Sequence, residues 1–226
     1  MLIDLHAHIL PGLDSVCPDR ATAARRLRAA RQAGVSVIAA ASVYDPTTAL
    51  PEDYLRRRDA ALALLRQTLQ PESPRLVPGA EVLWCPGLEA LSALESLCFG
   101  AGNLLLRIQP GESPLAVAGS IAALRDRLGG AVLLTNAETL APETAQLLFA
   151  KGAQCVLPFP ALTQRSERTA LQPWFAQGHV AALGSGARDA AHPYRALKRT
   201  ARRIGAPWET VMRSAAELAG DVCALK

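Results

Sequence analysis

The sequence predicts an α/β fold: a parallel sheet with helices outside it, closed as a barrel or left open. Two observations carry that expectation. Short apolar runs of strand length recur about seven times, and a stretch of helical pattern follows each of them. No shift in composition marks a linker, and 226 residues suit one barrel-sized domain spanning 1–226 better than two.

The elements follow in order. Leu2–His6 reads as the first strand, and an Ala/Arg-rich helix from Asp19 to Ala33 is closed by Gly34. Val35–Ala41 is a continuous apolar run, the pattern of a strand buried on both faces. Pro51–Leu69 begins with proline and aligns Tyr54, Leu55, Ala61, Leu62, Leu65 and Leu69 on one stripe, which predicts a helix. Strands are predicted at Leu76–Leu83, Leu104–Ile108, Ala131–Thr135, Gln154–Leu157 and Val180–Leu183. Helices are predicted near 87–97, 113–128, 141–151, 164–177, 193–204 and 207–220.

Composition excludes several classes. Half the residues are hydrophobic, yet no apolar run is long enough for a transmembrane helix. The first residues lead straight into a strand, so no signal peptide is expected. Five scattered cysteines without a CxxC suit reduced thiols in a cytoplasm better than a disulfide framework or structural zinc. The net charge of +4 is mild, and much of the excess lies near the C-terminus. There Arg195, Lys198, Arg199 and Arg202 share a helical face, read first as a solvated surface and second as an anion-binding patch. With dispersed aromatics, no nucleic-acid role is expected.

Chemistry concentrates at the start of the chain. In Ile3-Asp4-Leu5-His6-Ala7-His8 two imidazoles spaced i, i+2 project from one face of a strand end. The turn at Pro11-Gly12 then brings back Asp14, so two imidazoles and a carboxylate suit a divalent cation. In a barrel, His6, His8, Val43, Glu81, Thr135 and Ser185–Arg188 all fall at C-terminal strand ends, where such folds place their sites. No Cys-x5-Arg loop is present, and Gly100-Ala101-Gly102 reads as a turn. Gly184-Ser185-Gly186 reads first as a turn and second as a source of backbone N–H groups for an anion.

The opening Asp4-Leu5-His6-Ala7-His8-Ile9-Leu10-Pro11-Gly12-Leu13-Asp14, the Pro78-Gly79-Ala80-Glu81 of the third strand, and the βα order resemble the PHP (polymerase and histidinol phosphatase) metal-dependent phosphoesterases. Within them the resemblance is to the bacterial capsular-polysaccharide type of protein-tyrosine phosphatase, the CpsB/YwqE-like group. It implies a distorted (β/α)7 TIM-like barrel, up to three divalent metals, usually manganese, and phosphotyrosine on kinases of polysaccharide synthesis as substrate. The ligands carry over in part: His6, His8, Asp14 and Glu81 match. The family's Thr-Pro-His reads Ala41-Ser42-Val43, its Ala-His-Pro-Glu-Arg reads Leu134-Thr135-Asn136-Ala137-Glu138, and its Ser-Asp-Ala-His reads Ser185-Gly186-Ala187-Arg188.

The resemblance therefore implies a metal site of His6, His8, Asp14 and Glu81 holding one cation at most. Asp14 and Arg188 are its candidates for catalysis, Arg188 as a phosphate clamp. Hydrolysis is expected to be lost or much reduced. The alternatives are an active single-metal phosphoesterase using His6, His8 and Glu81, and a non-catalytic scaffold or anion-binding protein.

Overall fold

The computed structural model describes residues 2–186, 194 and 197–220, with the side chains of 198 and 199 excepted. Strands β1 (Leu2–Ala7), β2 (Val35–Tyr44), β3 (Arg75–Leu83), β4 (Leu104–Arg107), β5 (Val132–Leu134), β6 (Gln154–Pro158) and β7 (Val180–Gly184) form one sheet in sequential order. Every neighbouring pair is parallel. The first and last strands approach one another through an Ala7–Gly186 bridge, in which the Gly186 N–H donates to the His6 carbonyl at 3.0 Å. The sheet thus curls into a nearly closed α/β barrel.

Helices α1 (Arg20–Ala33), α2 (Pro51–Arg66), α3 (Leu94–Leu97), α4 (Pro114–Leu128), α5 (Pro142–Ala150) and α6 (Arg165–Ala176) alternate with the strands, and α7 (Leu197–Ile204) and α8 (Pro207–Leu218) follow β7. Local chemistry sets their ends. Asp19 caps α1 by accepting the Thr22 N–H at 2.7 Å, and Gly34, at φ 83°, supplies the left-handed residue that ends it. Proline opens α2, α4, α5 and α8, where its missing N–H costs nothing.

Two apolar layers result. The outer one lies between strands and helices and includes Ile38, Leu104, Leu106, Ile121, Leu134, Leu148 and Leu157. The inner one fills the barrel with Ile3, Leu5, Val37, Ala39, Ala41, Val77, Leu105, Leu133, Val156 and Ala182. Ala215, Ala216 and Ala219 belong to this inner cluster, so the small-residue face of α8 packs on the barrel interior. The helix end is held at the N-terminal side of the strands, where Asn103 and Arg75 donate to the Leu218 and Ala219 carbonyls at 2.9 and 3.2 Å. The opposite mouth is left for polar chemistry.

Three elements differ from the sequence expectation. The segment near 87–97 is not one helix but a 3-10 turn at Leu88–Ala90 and the single turn α3. Ala93 takes φ 53° between them, and the break lets Leu88, Leu94 and Leu97 all reach the core. Tertiary burial overrides helix propensity there. Helix α2 stops at Arg66, where the Thr68 hydroxyl takes the Leu65 carbonyl at 2.7 Å. Strand β2 runs on to Tyr44 because β3 pairs with it up to Val82. Of the basic C-terminal face, Arg195 and the side chains of Lys198 and Arg199 lie outside the described residues. Among the described residues no helix is long and apolar enough to cross a membrane.

Candidate metal centre

The register of β1 against β2 shifts between Asp4 and Ala7. With that irregularity His6 and His8, one on the strand and one just past it, both turn into the C-terminal mouth. Their rings meet edge to face, with centroids 5.0 Å apart. Glu81 arrives from β3, where it pairs in register with Val43 of β2 and Leu105 of β4. All three side chains are buried.

Their ligand atoms converge. His8 Nε2 lies 3.1 Å from His6 Nε2, and the Glu81 oxygens lie 3.2 Å from His6 Nε2 and 3.3 Å from His8 Nε2. Ligands about 2.1 Å from a shared ion stand roughly 3.0 Å apart at right angles and roughly 3.4 Å apart in a tetrahedron. The observed separations fall in that interval, so the three residues form a group able to hold a metal ion. Glu81 Oε2 is buried and has no well-formed hydrogen bond, only the longer ion-pair approaches of His8 and Arg107. The donor set and this under-satisfied oxygen both fit one divalent cation.

Asp14 sits on the far side of His8. The turn at Gly12, which has φ 75°, folds the loop back so that the Gly12 N–H donates to the Cys17 carbonyl at 2.8 Å. Asp14 Oδ1 accepts the Val16 and Cys17 N–H groups at 3.0 and 3.1 Å, while Oδ2 meets His8 Nδ1 at 2.7 Å. Asp14 therefore orients the His8 ring and is not one of the three converging donors. Arg26 adds a hydrogen bond to the His8 carbonyl.

The electrostatics follow from this packing. Burial works against the charged form of His8, but hydrogen bonds and charge from Asp14 and Glu81 outweigh it and raise its pKa to about 9. Burial would raise Glu81, yet the neighbouring His6 and His8 hold it well below the usual carboxylate range. Asp14 is likewise lowered: burial opposes this, and the His8 hydrogen bond overrides it.

Each substituted position has a definite place. The Thr135 hydroxyl donates to Glu81 Oε1 at 2.5 Å. The Val43 N–H approaches Asp14 Oδ2 at 3.4 Å, and its side chain offers no ligand atom. Gly186 lines a small cleft of about 30 Å³ together with His6, Glu81, Thr135 and Arg107. Arg107 was not singled out by sequence reasoning, although it ends β4 as Glu81 stands near the end of β3. Arg188 lies outside the described residues. The anion-binding reading of Gly184-Ser185-Gly186 is overturned, because the Ser185 N–H donates to Asp4 Oδ1 at 2.9 Å and the Gly186 N–H is taken by His6.

Gly184 is required by closeness. A Cβ there would stand 2.6 Å from the His6 Cβ and 3.0 Å from its carbonyl oxygen. Gly184→Ala is expected to push β1 from β7, displace His6, and weaken cation binding at least tenfold. Isothermal titration with manganese checks this; unchanged affinity in a folded variant would show that the approach is not required.

A larger pocket of about 460 Å³ opens beside the centre, lined by Glu138, Pro158, Pro160, Leu171 and Ser185 among others. Glu138 and Pro158 border both spaces. The two-histidine, one-carboxylate group at the C-terminal mouth of this parallel β/α barrel is buried and could hold a divalent cation. Among solved structures the chain is similar to one from the study of YwqE from Bacillus subtilis and CpsB from Streptococcus pneumoniae, described as unique metal-dependent tyrosine phosphatases. The TM-score is 0.81 at 16% identity, over 97% of this chain and 95% of that one. The fold is thus a distorted (β/α)7 TIM-like barrel. No protein-family model and no curated protein matches the chain.

Proposed function

We propose that the chain is a PHP-type homologue of the capsular-polysaccharide tyrosine phosphatases that binds one divalent cation through His6, His8 and Glu81. It engages a phosphotyrosine-bearing protein, by resemblance a tyrosine kinase of polysaccharide synthesis, and its metal-dependent hydrolysis is lost or much reduced. The observation that carries this reading is the convergence of the buried His6, His8 and Glu81 ligand atoms, with His6 Nε2 3.1 Å from His8 Nε2 and the Glu81 oxygens 3.2 and 3.3 Å from those two nitrogens.

A bound cation would supply Lewis acidity toward a phosphoryl oxygen and lower the pKa of a coordinated water. The chain's own residues do the rest. Asp14 fixes the ring of His8 by holding Nδ1, which directs Nε2 inward. Thr135 holds Glu81 Oε1 through its hydroxyl. The adjoining pocket is within the size range that binds small organic groups and has room for an aromatic ring beside the centre. Among the described residues, Val43 and Gly186 bring no ligand for a second cation, and the Thr135 hydroxyl is spent on Glu81.

The test is metal analysis of purified protein soaked in manganese. About one ion per chain is expected in the native protein and none in His8→Ala. Two or three tightly held ions, or unchanged occupancy in that variant, would refute the reading.

Uptake should depend on pH. The ion must displace the proton that His8 carries in the metal-free chain, so apparent affinity rises up to about tenfold per unit as pH increases toward about 9. The stability of metal-free protein runs the other way. The His8 pKa is raised above its ordinary 6.5, so its contribution is full below that value and lost as pH climbs through about 9. Urea unfolding in chelator across pH 6–10, for native protein and His8→Gln, measures it; identical pH profiles would contradict the assignment.

A further inference from the structure

Arg107 reaches the mouth of the barrel from the end of β4, and its placement is firm. The Trp84 N–H donates to its carbonyl at 2.8 Å. The Asn136 side chain clasps the next residue through both Ile108 backbone groups, at 3.1 and 2.8 Å. The guanidinium lines the same cleft as His6 and Glu81.

Its contact with Glu81 is loose. Arg107 Nη1 stands 3.6 Å from Glu81 Oε2, well beyond the roughly 2.7–2.9 Å of a charge-assisted hydrogen bond. Among the described residues the Arg107 side chain makes no hydrogen bond, and Glu81 Oε2 makes none either. A structural arginine in this same chain looks different: Arg127 grips Glu95 in a two-pronged pair at 2.8 and 3.0 Å and also holds the Glu89 and Leu91 carbonyls. Arg107 keeps its donors free, and its side chain is 36% exposed, within reach of solvent.

We infer that Arg107 is the anion-receiving residue of this centre: it meets one oxygen of a tetrahedral phosphate-type oxyanion whose other oxygens lie toward the cation. In the unliganded state it rests near Glu81 and balances part of its charge. A guanidinium does not lose its proton and presents a planar fork of donors that suits phosphate. The same positive charge beside Glu81 also disfavours a second divalent ion, which accounts for one site and not two. The inference deepens the single-cation reading, and its two arms separate their failures.

Inorganic phosphate is titrated calorimetrically into native protein, Arg107→Gln and Arg107→Lys, each with and without bound manganese, and manganese affinity is measured separately. Native protein is expected to bind phosphate. Arg107→Gln should bind it roughly 10- to 100-fold more weakly, with Arg107→Lys between them, while its manganese affinity is unchanged or higher because a competing charge has left Glu81. Retained manganese binding also shows that the variant is folded. Equal phosphate affinity in native protein and Arg107→Gln, or no phosphate binding by native protein in either state, overturns the inference. If native protein takes up no manganese, the cation reading falls, and the metal-free titrations still decide the role of Arg107 by the same comparison.

Discussion

Manganese-loaded native protein is expected to hydrolyse a phosphotyrosine peptide on the order of 10⁴-fold or more slowly than a phosphatase with a complete two-metal centre in the same assay. Each lost electrostatic contact to a transition state costs roughly 100- to 1,000-fold, and the proposed single-cation centre lacks both a second cation and its clamp on the opposite oxygen. By the resemblance, Val43 and Thr135 take the places of two family imidazoles, and the Thr135 hydroxyl is committed to Glu81. Restoring them, as Val43→His with Thr135→His, should raise both ion uptake and turnover. Aspartate at Gly186 is a poorer repair, because that residue has φ 66° and a Cβ would lie 3.3 Å from the Pro158 Cβ. Robust manganese-dependent turnover by native protein that vanishes in His6→Ala would show that one cation suffices.

Asp4→Ala is expected to lower the unfolding free energy by about 3–5 kcal/mol. The carboxylate is fully buried and accepts from the Tyr194 hydroxyl at 2.7 Å, the Ser185 N–H at 2.9 Å and the His6 N–H at 3.1 Å. Truncation leaves all three donors buried without a partner. Burial raises the Asp4 pKa despite these bonds, so its ionised form is held at a cost, and Asp4→Asn should lose less than Asp4→Ala. Denaturant melts of the two variants measure both effects. A loss under about 1 kcal/mol in Asp4→Ala would mean that water or rearrangement replaces the carboxylate.

Much of this architecture was legible in the residues because strand length and periodicity are local properties. Val35–Ala41 could hardly be anything but a buried strand, and Asp19 and Gly34 mark both ends of α1. The break at Ala93 was not legible, since it depends on where the core wants Leu88, Leu94 and Leu97. At the centre, the i, i+2 histidines announced themselves by chemistry and spacing. The barrel pattern placed Glu81 at a strand end near the histidines, but only the resemblance marked it as a ligand, because one carboxylate at a strand end looks like any other. Arg107 escaped notice for a related reason: its meaning lies in its 3.6 Å approach to Glu81 across two strands, and neither residue's local sequence encodes it. The double use of Asp14, on two backbone N–H groups and one ring nitrogen, likewise needed the folded loop.

The junction of β1 with the segment after β7 joins residues separated by 181 positions, as the Asp4–Ser185 hydrogen bond records. During synthesis at ~5–20 residues per second, the two histidines leave the ribosome roughly ten to forty seconds before the strand that holds them in place. Until then β1 can pair with β2 but has an open edge and no partner for Asp4. The contacts that fix Asp4 and His6 against Ser185 and Gly186 are therefore among the last features to form. Divalent ions in the medium should do little for the early, slow stages of refolding, whose rate such long-range pairing limits, and should act afterwards by slowing the reopening of a barrel that has already closed.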